Sequence, residues 1–289
     1  MRNDHYERLD AAIRFIEKNL TNKITVRDVS GAAFSSLWHF QRIFRYITGY
    51  SIHSYIRRRR LSEAAGELIL TGNRILDIAL KFQYETPETF LREFKKVYGM
   101  TPSGYRKGIA HIAFEPIDIF QDRYRDVYSG IGITQETIVR KSISFIGKKF
   151  STTMRGKKSE TDIPEFWRKS YSDGLFQKIP GRINEHSTHG VYINWDLEEN
   201  FDLLVGSEVE TETSIPHGFE KHTSPPARYM VFTIPGNTSE KLILGWKYIY
   251  GAWLPGSSYE HGDAEDFEVF DDRFLDPKNP VSEIYISIR

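Results

Sequence analysis

A two-domain protein is predicted: an all-α N-terminal domain in which two helix-turn-helix units are joined by a long helix, then an α+β domain of two strand-helix-strand-strand repeats. Three observations predict it. A pattern at residues 37–44 returns in altered form about fifty residues later, at 89–94. Apolar residues recur at spacings of three and four before residue 107 and alternate after residue 136, which separates amphipathic helices from strands. Charge divides at the same place: residues 1–107 hold 19 Lys and Arg against 11 Asp and Glu, and the remainder holds 20 against 28. The expected parts are residues 1–107, a linker over 108–135, and a second domain over 136–289.

The chain has 289 residues, enough for two domains that each bury a core. It has no cysteine, which excludes disulfides and cysteine-ligated zinc and fits a reducing interior. No apolar run approaches the roughly 18 residues of a membrane span, and the charged Met1–Asp10 stretch is unlike a signal peptide. The expectation is a cytoplasmic protein without membrane contact. A basic half implies a polyanion partner, and an acidic half implies something different, such as a cation.

In the first domain, Leu9, Ile13, Ile16 and Leu20 mark a helix ending near Asn19. Thr25 is placed to cap a short helix through Ala33, with Val26 and Val29 inward, and Ser35 or Ser36 to cap the next, which Gly49 stops. Ser51 begins a long helix whose buried stripe is Ile52, Tyr55, Ile56, Leu61, Ala64, Ala65 and Leu68. Gly72 is expected to stop it. Two further short helices follow, from Ile75 and from Thr86. Val26 and Val29 align with Ile75 and Ile78, and Phe44, Gly49 and Tyr55 align with Phe94, Gly99 and Tyr105. Two short helices joined by a turn, occurring twice, make a duplicated helix-turn-helix.

A helix about 10–12 Å wide fits the major groove of B-form DNA. Two of them about 34 Å apart read adjacent major-groove segments on one face of the duplex, so a monomer suffices. In the first reading helix Phe40, Ile43 and Phe44 face inward while Trp38, Gln41 and Arg42 share the opposite face. Arg42 matches guanine, Gln41 adenine, and Trp38 a thymine methyl or sugar. Thr89 and Arg92 form the corresponding face of the second, whereas Arg45, Lys95 and Lys96 are placed for phosphates. The Arg57–Arg60 run spreads around most of its helix, so one or two members are assigned to phosphate and the rest to pairs with residues such as Glu63 or Glu67.

Residues 5–107 resemble the DNA-binding domain of the AraC/XylS family of bacterial transcription regulators, of the Rob, MarA and SoxS type tied to multidrug and stress responses. The matching text is Trp38-His39-Phe40-Gln41-Arg42-Ile43-Phe44, Thr48-Gly49, Tyr55-Ile56-Arg57, Phe94-Lys95-Lys96, Gly99, Thr101-Pro102 and Tyr105-Arg106. The resemblance implies base reading by Trp38, Gln41 and Arg42 and by Thr89 and Arg92, with promoter DNA and RNA polymerase as partners. Two departures stand out. Pro87-Glu88 replaces a pair of glutamines, and because Glu88 repels phosphate the second half-site is expected to be read less tightly. Phe34 and Gln83 replace the turn glycines, at a cost of about 1 kcal/mol each if they take positive φ.

The acidic half alternates as strands do through Ile138–Ile146, Val191–Trp195, Phe201–Glu210, Arg228–Pro235, Asp266–Phe270 and Glu283–Arg289, with helices near 161–176 and 238–253. Strand, helix, strand, strand occurs twice, which suggests two sheets or half-sheets facing across a pseudo-dyad. Glu268, between Phe267 and Val269, points to the face opposite both, where it meets either water or a cavity. Tyr192, Trp195, Tyr229, Trp246, Tyr248 and Trp253 supply aromatic faces, on which a cation gains about 0.5–2 kcal/mol. Residues 136–289 resemble the GyrI-like small-molecule-binding domain in their order, in Trp246–Pro255 and in Phe267-Glu268-Val269-Phe270. That resemblance implies a cleft with a central carboxylate for a lipophilic or cationic effector, lined by Glu268, Tyr192, Trp195, Tyr229, Trp246 and Trp253. No cofactor and no metal is expected, since His186 and His189 lie three apart in a loop without a third ligand. Catalysis is not expected either; the competing readings are a GyrI-like hydrolase using Glu268 and a tyrosine, and a protein-docking module.

Overall fold

In the computed structural model the described residues are 5–33, 37–108, 113–117 and 132–289, without the side chains of Leu37 and Trp38. Two compact units emerge, Asp4–Gln121 and one centred on Asp122–Arg289.

The first unit contains α1 (His5–Lys18), α2 (Val26–Ala32), α3 (Leu37–Thr48), α4 (Ile52–Leu70), α5 (Ile75–Lys81), α6 (Pro87–Tyr98) and the short α7 (Pro102–Tyr105). Hydroxyls cap several of the helices, though α5 begins at Arg74 without a side-chain cap. Thr25 forms a reciprocal cap with Asp28, Ser51 accepts from Ser54 N and Thr86 accepts from Thr89 N, each satisfying a first-turn amide. Gly49 and Gly99 end α3 and α6 at φ +77° and +72°, so the duplication extends to the stops. The proposed caps Ser35 and Ser36 and the turn residue Phe34 lie outside the described residues. Gln83 does take φ +66°.

The stop of α4 differs from expectation. Gly72 is not left-handed; Thr71 closes the helix on Glu67 O, and Arg106 donates to Leu68 O at 3.1 Å and to Asn73 O at 2.5 Å. A guanidinium that satisfies the terminal carbonyls removes the need for a glycine.

All four arginines of the run are engaged within the unit. Arg57 lies 3.7 Å from Glu93. Arg58 sits over the Tyr50 and Phe114 rings, 5.1 Å from each centroid. Arg59 is buried and binds Glu17 at 2.8 Å, Glu63 at 2.7 Å and Phe114 O. Arg60 donates to Leu20 O at 2.9 Å and Asn22 O at 2.7 Å, while Gln83 reaches Thr21 O at 2.6 Å. One turn after α1 is thus held from α4 and from the second helix-turn-helix. Glu67 instead pairs with Lys81. Within the segment assigned to the linker, Phe114 N donates to Ser62 Oγ at 2.8 Å and its ring packs on Tyr50 and Tyr55; residues 109–112 and 118–131 lie outside the described residues.

The second unit carries one eight-stranded antiparallel sheet, in the order β1-β6-β8-β7-β3-β4-β2-β5. Its strands are β1 (Thr134–Arg140), β2 (Ile143–Thr153), β3 (Thr188–Ile193), β4 (Asn200–Val209), β5 (Glu220–Ser224), β6 (Ala227–Pro235), β7 (Phe267–Phe270) and β8 (Val281–Ile288). The repeats are β2-α8-β3-β4 and β6-α9-β7-β8, with α8 at Lys158–Ser172 and α9 at Ser239–Tyr248 continuing as a wide turn to Trp253. The halves are therefore not separate sheets: they meet edge to edge where β3 pairs with β7.

That sheet is strongly curled. Arg140 on β1 pairs with Glu208 on β4 at 2.5 Å, although five strand spacings would hold them about 24 Å apart in a flat sheet. Gly147 and Gly206 face each other across β2 and β4; a Cβ on either would fall within 2.2 Å of a carbonyl oxygen of the other strand. Two bare backbones at this crossing permit the bend. The face inside the curl holds Ile143, Phe145, Val191, Ile193, Leu204, Tyr229 and Phe267. Trp167 of α8 and Trp246 of α9 lie against the other face.

Candidate functional site

Alternation along β3 and β7 sends Gly190, Tyr192 and Glu268 to the helix-covered face, with Gly190 registered opposite Glu268. Glu268 is 1% exposed. Its Oε1 accepts from Tyr192 Oη and from Trp246 Nε1, both at 2.6 Å. Its Oε2 is shielded and has no hydrogen-bond partner in the protein. Burial pushes the carboxyl up to about 7, against the opposing pull of the two donors. Because Oε1 is already filled by two donors, a proton on neutral Glu268 belongs on Oε2, where a cation would also bind.

Aromatic rings wall this carboxylate. Tyr192 and Trp246 meet edge to face at 5.0 Å. Tyr250 stacks on Trp246 at 6.1 Å and donates to Asp266 Oδ2. Asp266, two residues before Glu268, also meets His261 Nε2 at 2.7 Å and accepts from Ser287 N at 3.2 Å. This buried polar group fixes the ring behind Trp246. Opposite, Trp167 stacks near Tyr171 and Phe176 and meets Phe270 edge-on at 4.9 Å.

The structure brings some of the residues expected at the site together and sets others apart. Glu268, Tyr192 and Trp246 come together. Trp195 is one ring removed, stacked at 4.2 Å on Phe201, which packs on Tyr192. Tyr229 lies on the opposite face, against Phe267 at 5.3 Å, with its hydroxyl 3.2 Å from Ser224 Oγ. Its registered partner Ser287 and its neighbour Phe267 both face away from Glu268, so the alternation that turns Glu268 toward the helices turns Tyr229 from them. Trp253 packs on Phe232 and Tyr259, and Tyr248 also meets Phe232. Trp167, Tyr250, Asp266 and His261 were missed. The signal for Trp167 was present in the helical spacing of Ile163, Phe166, Trp167 and Ser170.

His186 and His189 do not form a pair. His186 is exposed, 3.2 Å from Asp272, whereas His189 is buried between Phe145 and Phe267. Burial pushes its imidazole down to about 3, and Arg140 and Arg182 act in the same direction. Among the described residues no group of three His, Asp or Glu is placed to hold a metal, and no helix is long and apolar enough to cross a membrane.

The two helices expected to read DNA differ. On α6, Pro87, Glu88, Lys95 and Lys96 are exposed and Thr89 half-buried, and the Arg92 side chain is 70% exposed beside Glu93. On α3, Gln41 and Arg42 are only 8% and 7% exposed and Arg45 is half-buried; the Trp38 side chain lies outside the described residues. Gln41 and Arg42 were expected on an open face. Periodicity identifies the apolar stripe of Phe40, Ile43, Phe44 and Ile47, but what covers the rest of the circumference is a tertiary matter that one helix cannot encode.

Residues 137–288 match the family described as integron-associated effector binding protein, and residues 29–108 match a helix-turn-helix domain family. The transcriptional activator AarP of Providencia stuartii is 45% identical over 92 residues, 32% of this chain and 68% of that protein. The transcriptional regulator Rob of Salmonella typhimurium is 42% identical over 100 residues, 35% of each, so the match spans about a third of Rob. The solved structure of SAV2435 bound to tetraphenylphosphonium covers 54% of this chain and 94% of that one, at 17% identity and a TM-score of 0.45.

Proposed function

Because the chain belongs to the integron-associated effector binding protein family over residues 137–288 and to the AraC-type helix-turn-helix regulators over residues 29–108, we propose that it activates transcription from promoter DNA and senses a lipophilic cation at Glu268. The observation that carries the sensing is the carboxylate itself: one oxygen is held by two donors and the other, buried among rings, is unmatched. A cation there meets both a charge and aromatic faces out of water. Among the described residues both hydrogen-bond donors to Glu268 reach the same oxygen, an arrangement that holds an anion, and this favours a sensor over a hydrolase. In this reading α3 and α6 contact DNA, RNA polymerase is recruited beside them, and the protein works in the cytoplasm as a monomer on its operator.

Tetraphenylphosphonium, a cation at every pH, is the direct probe. Its titration should quench tryptophan fluorescence in the wild type and not in Glu268→Gln. Below about pH 7 the affinity should fall close to tenfold per pH unit, because the proton competes for Oε2. Equal responses from both proteins, or no response from either, would remove Glu268 from the site.

DNA reading is tested with duplex fragments at low and moderate salt. Arg42 is 7% exposed in the free protein and can read a base only after DNA displaces its cover. On that condition Arg42→Ala is expected to cost about 1–3 kcal/mol and relax one base position, with a smaller cost for Arg92→Ala, whose neighbour Glu88 repels phosphate. Lys95→Ala should weaken all duplexes alike and lower the salt slope by about one. A larger loss at Arg92 than at Arg42 overturns the ranking, and salt-independent binding overturns the phosphate contacts.

A further inference from the structure

Glu268 Oε2 has a counterpart. Trp167 Nε1 is likewise shielded from solvent and without a hydrogen-bond partner in the protein. Both groups converge on Gly190, where a Cβ would lie 2.9 Å from Trp167 Cζ2 and 3.4 Å from Glu268 Oε2. Cζ2 is bonded to the ring carbon that carries Nε1, so the N–H edge of the indole and the unmatched carboxylate oxygen lie at the same glycine. The bare backbone there is what lets the indole approach β3. An acceptor without a donor and a donor without an acceptor are thus set side by side, and they do not satisfy each other. Each is costly to leave unpaired in a buried place.

Charge alone answers only half of this. A quaternary ammonium or a phosphonium supplies a positive charge but neither a proton for Oε2 nor a lone pair for the indole N–H. We infer that the effector of this site is an aryl-bearing alkylamine, whose protonated nitrogen donates to Glu268 Oε2 and whose neutral oxygen, a few atoms away, accepts from Trp167 Nε1. The inference rests on the reading of Glu268 as the effector site. Around the two polar contacts the walls are rings: Phe270, Tyr171 and Phe176 beside Trp167, and Tyr192 beside Trp246. A site built to hydrogen-bond a ligand atom discriminates against the analogue that lacks it, because its own group is then left bare.

Three matched probes separate these terms on the full-length protein: diphenhydramine, which carries a tertiary amine and an ether oxygen; its carbon isostere, in which a methylene replaces the ether oxygen; and its N-methyl quaternary salt. Calorimetric Kd values are measured near pH 8, where Glu268 is ionised and the amines remain protonated. On the wild type diphenhydramine should bind about tenfold or more tightly than either analogue. In Trp167→Phe the preference over the carbon isostere should collapse while the preference over the quaternary salt persists. In Glu268→Gln binding of all three should be lost. Circular dichroism and retained duplex binding report that the variants are folded. If the three probes bind the wild type equally and Trp167→Phe changes nothing, the amine–oxygen assignment is wrong, while loss in Glu268→Gln would still uphold the effector site. If Glu268→Gln matches the wild type, or no probe binds, both readings fall.

Discussion

Between about pH 5 and pH 8 the second unit of the wild-type protein should lose about 3 kcal/mol of stability relative to the Glu268→Gln variant. The cause is the raised carboxyl, at about 7 in the fold against an ordinary value of 4.5. The folded state holds a proton that the unfolded chain releases, so this stability is complete below pH 4.5. It is lost as the pH rises toward 7 and constant above that, at about 1.4 kcal/mol for each pH unit between the two values. Glutamine does not titrate, and any fixed cost of its buried amide cancels when each variant is compared with itself at two pH values. Urea melts at both pH values measure the difference, and parallel changes in the two proteins would show that Glu268 titrates normally. A cation bound at Oε2 should restore part of the loss, so thermal stabilisation by tetraphenylphosphonium should be larger at pH 8 than at pH 5.

In the first unit Arg59→Ala should destabilise the fold by about 3–5 kcal/mol, whereas Arg57→Ala and Arg58→Ala should each cost about 1 kcal/mol or less. The three residues are adjacent in sequence and alike in chemistry. Arg59 is the buried one, and its removal strands Glu17, which also accepts from Tyr55 at 3.2 Å, and releases Phe114 O. A charge left without its partner in a partly buried place costs more than the pair contributed. Arg57 meets Glu93 at the surface, where solvent screens the attraction. Urea unfolding of the three variants decides it, and comparable losses at all three positions would mean that the Glu17–Arg59–Glu63 network is no stronger than a surface pair.

The duplicated helix-turn-helix was legible because its evidence is local and occurs twice: Phe44, Gly49 and Tyr55 against Phe94, Gly99 and Tyr105, down to two left-handed glycines. The strand-helix-strand-strand order was legible for the same reason, since alternation is written in each strand. What escaped was set by contacts between distant segments. Gly190 gains its meaning from Glu268 across the β3–β7 pairing, and Tyr229 was misplaced because a face can be assigned only when the register is known. The continuity of the sheet depends on one edge pairing that no strand announces. The covering of Gln41 and Arg42, and the use of Arg59 as an internal group, depend on neighbours that helical periodicity does not specify.

Arg60 and Gln83 give the first unit a mechanical property. They hold the turn at Leu20, Thr21 and Asn22 from two directions, one from the connecting helix and one from the second helix-turn-helix, so α3 and α6 share a single frame. A pair of readers on one frame measures length and rotation along the duplex together. Inserting one base pair between half-sites moves the second about 3.4 Å and turns it by about a tenth of a revolution, a change that a shared frame resists and that the duplex must absorb by deforming. If α3 and α6 are the readers, as proposed, an operator would be checked for helical phase as well as for sequence.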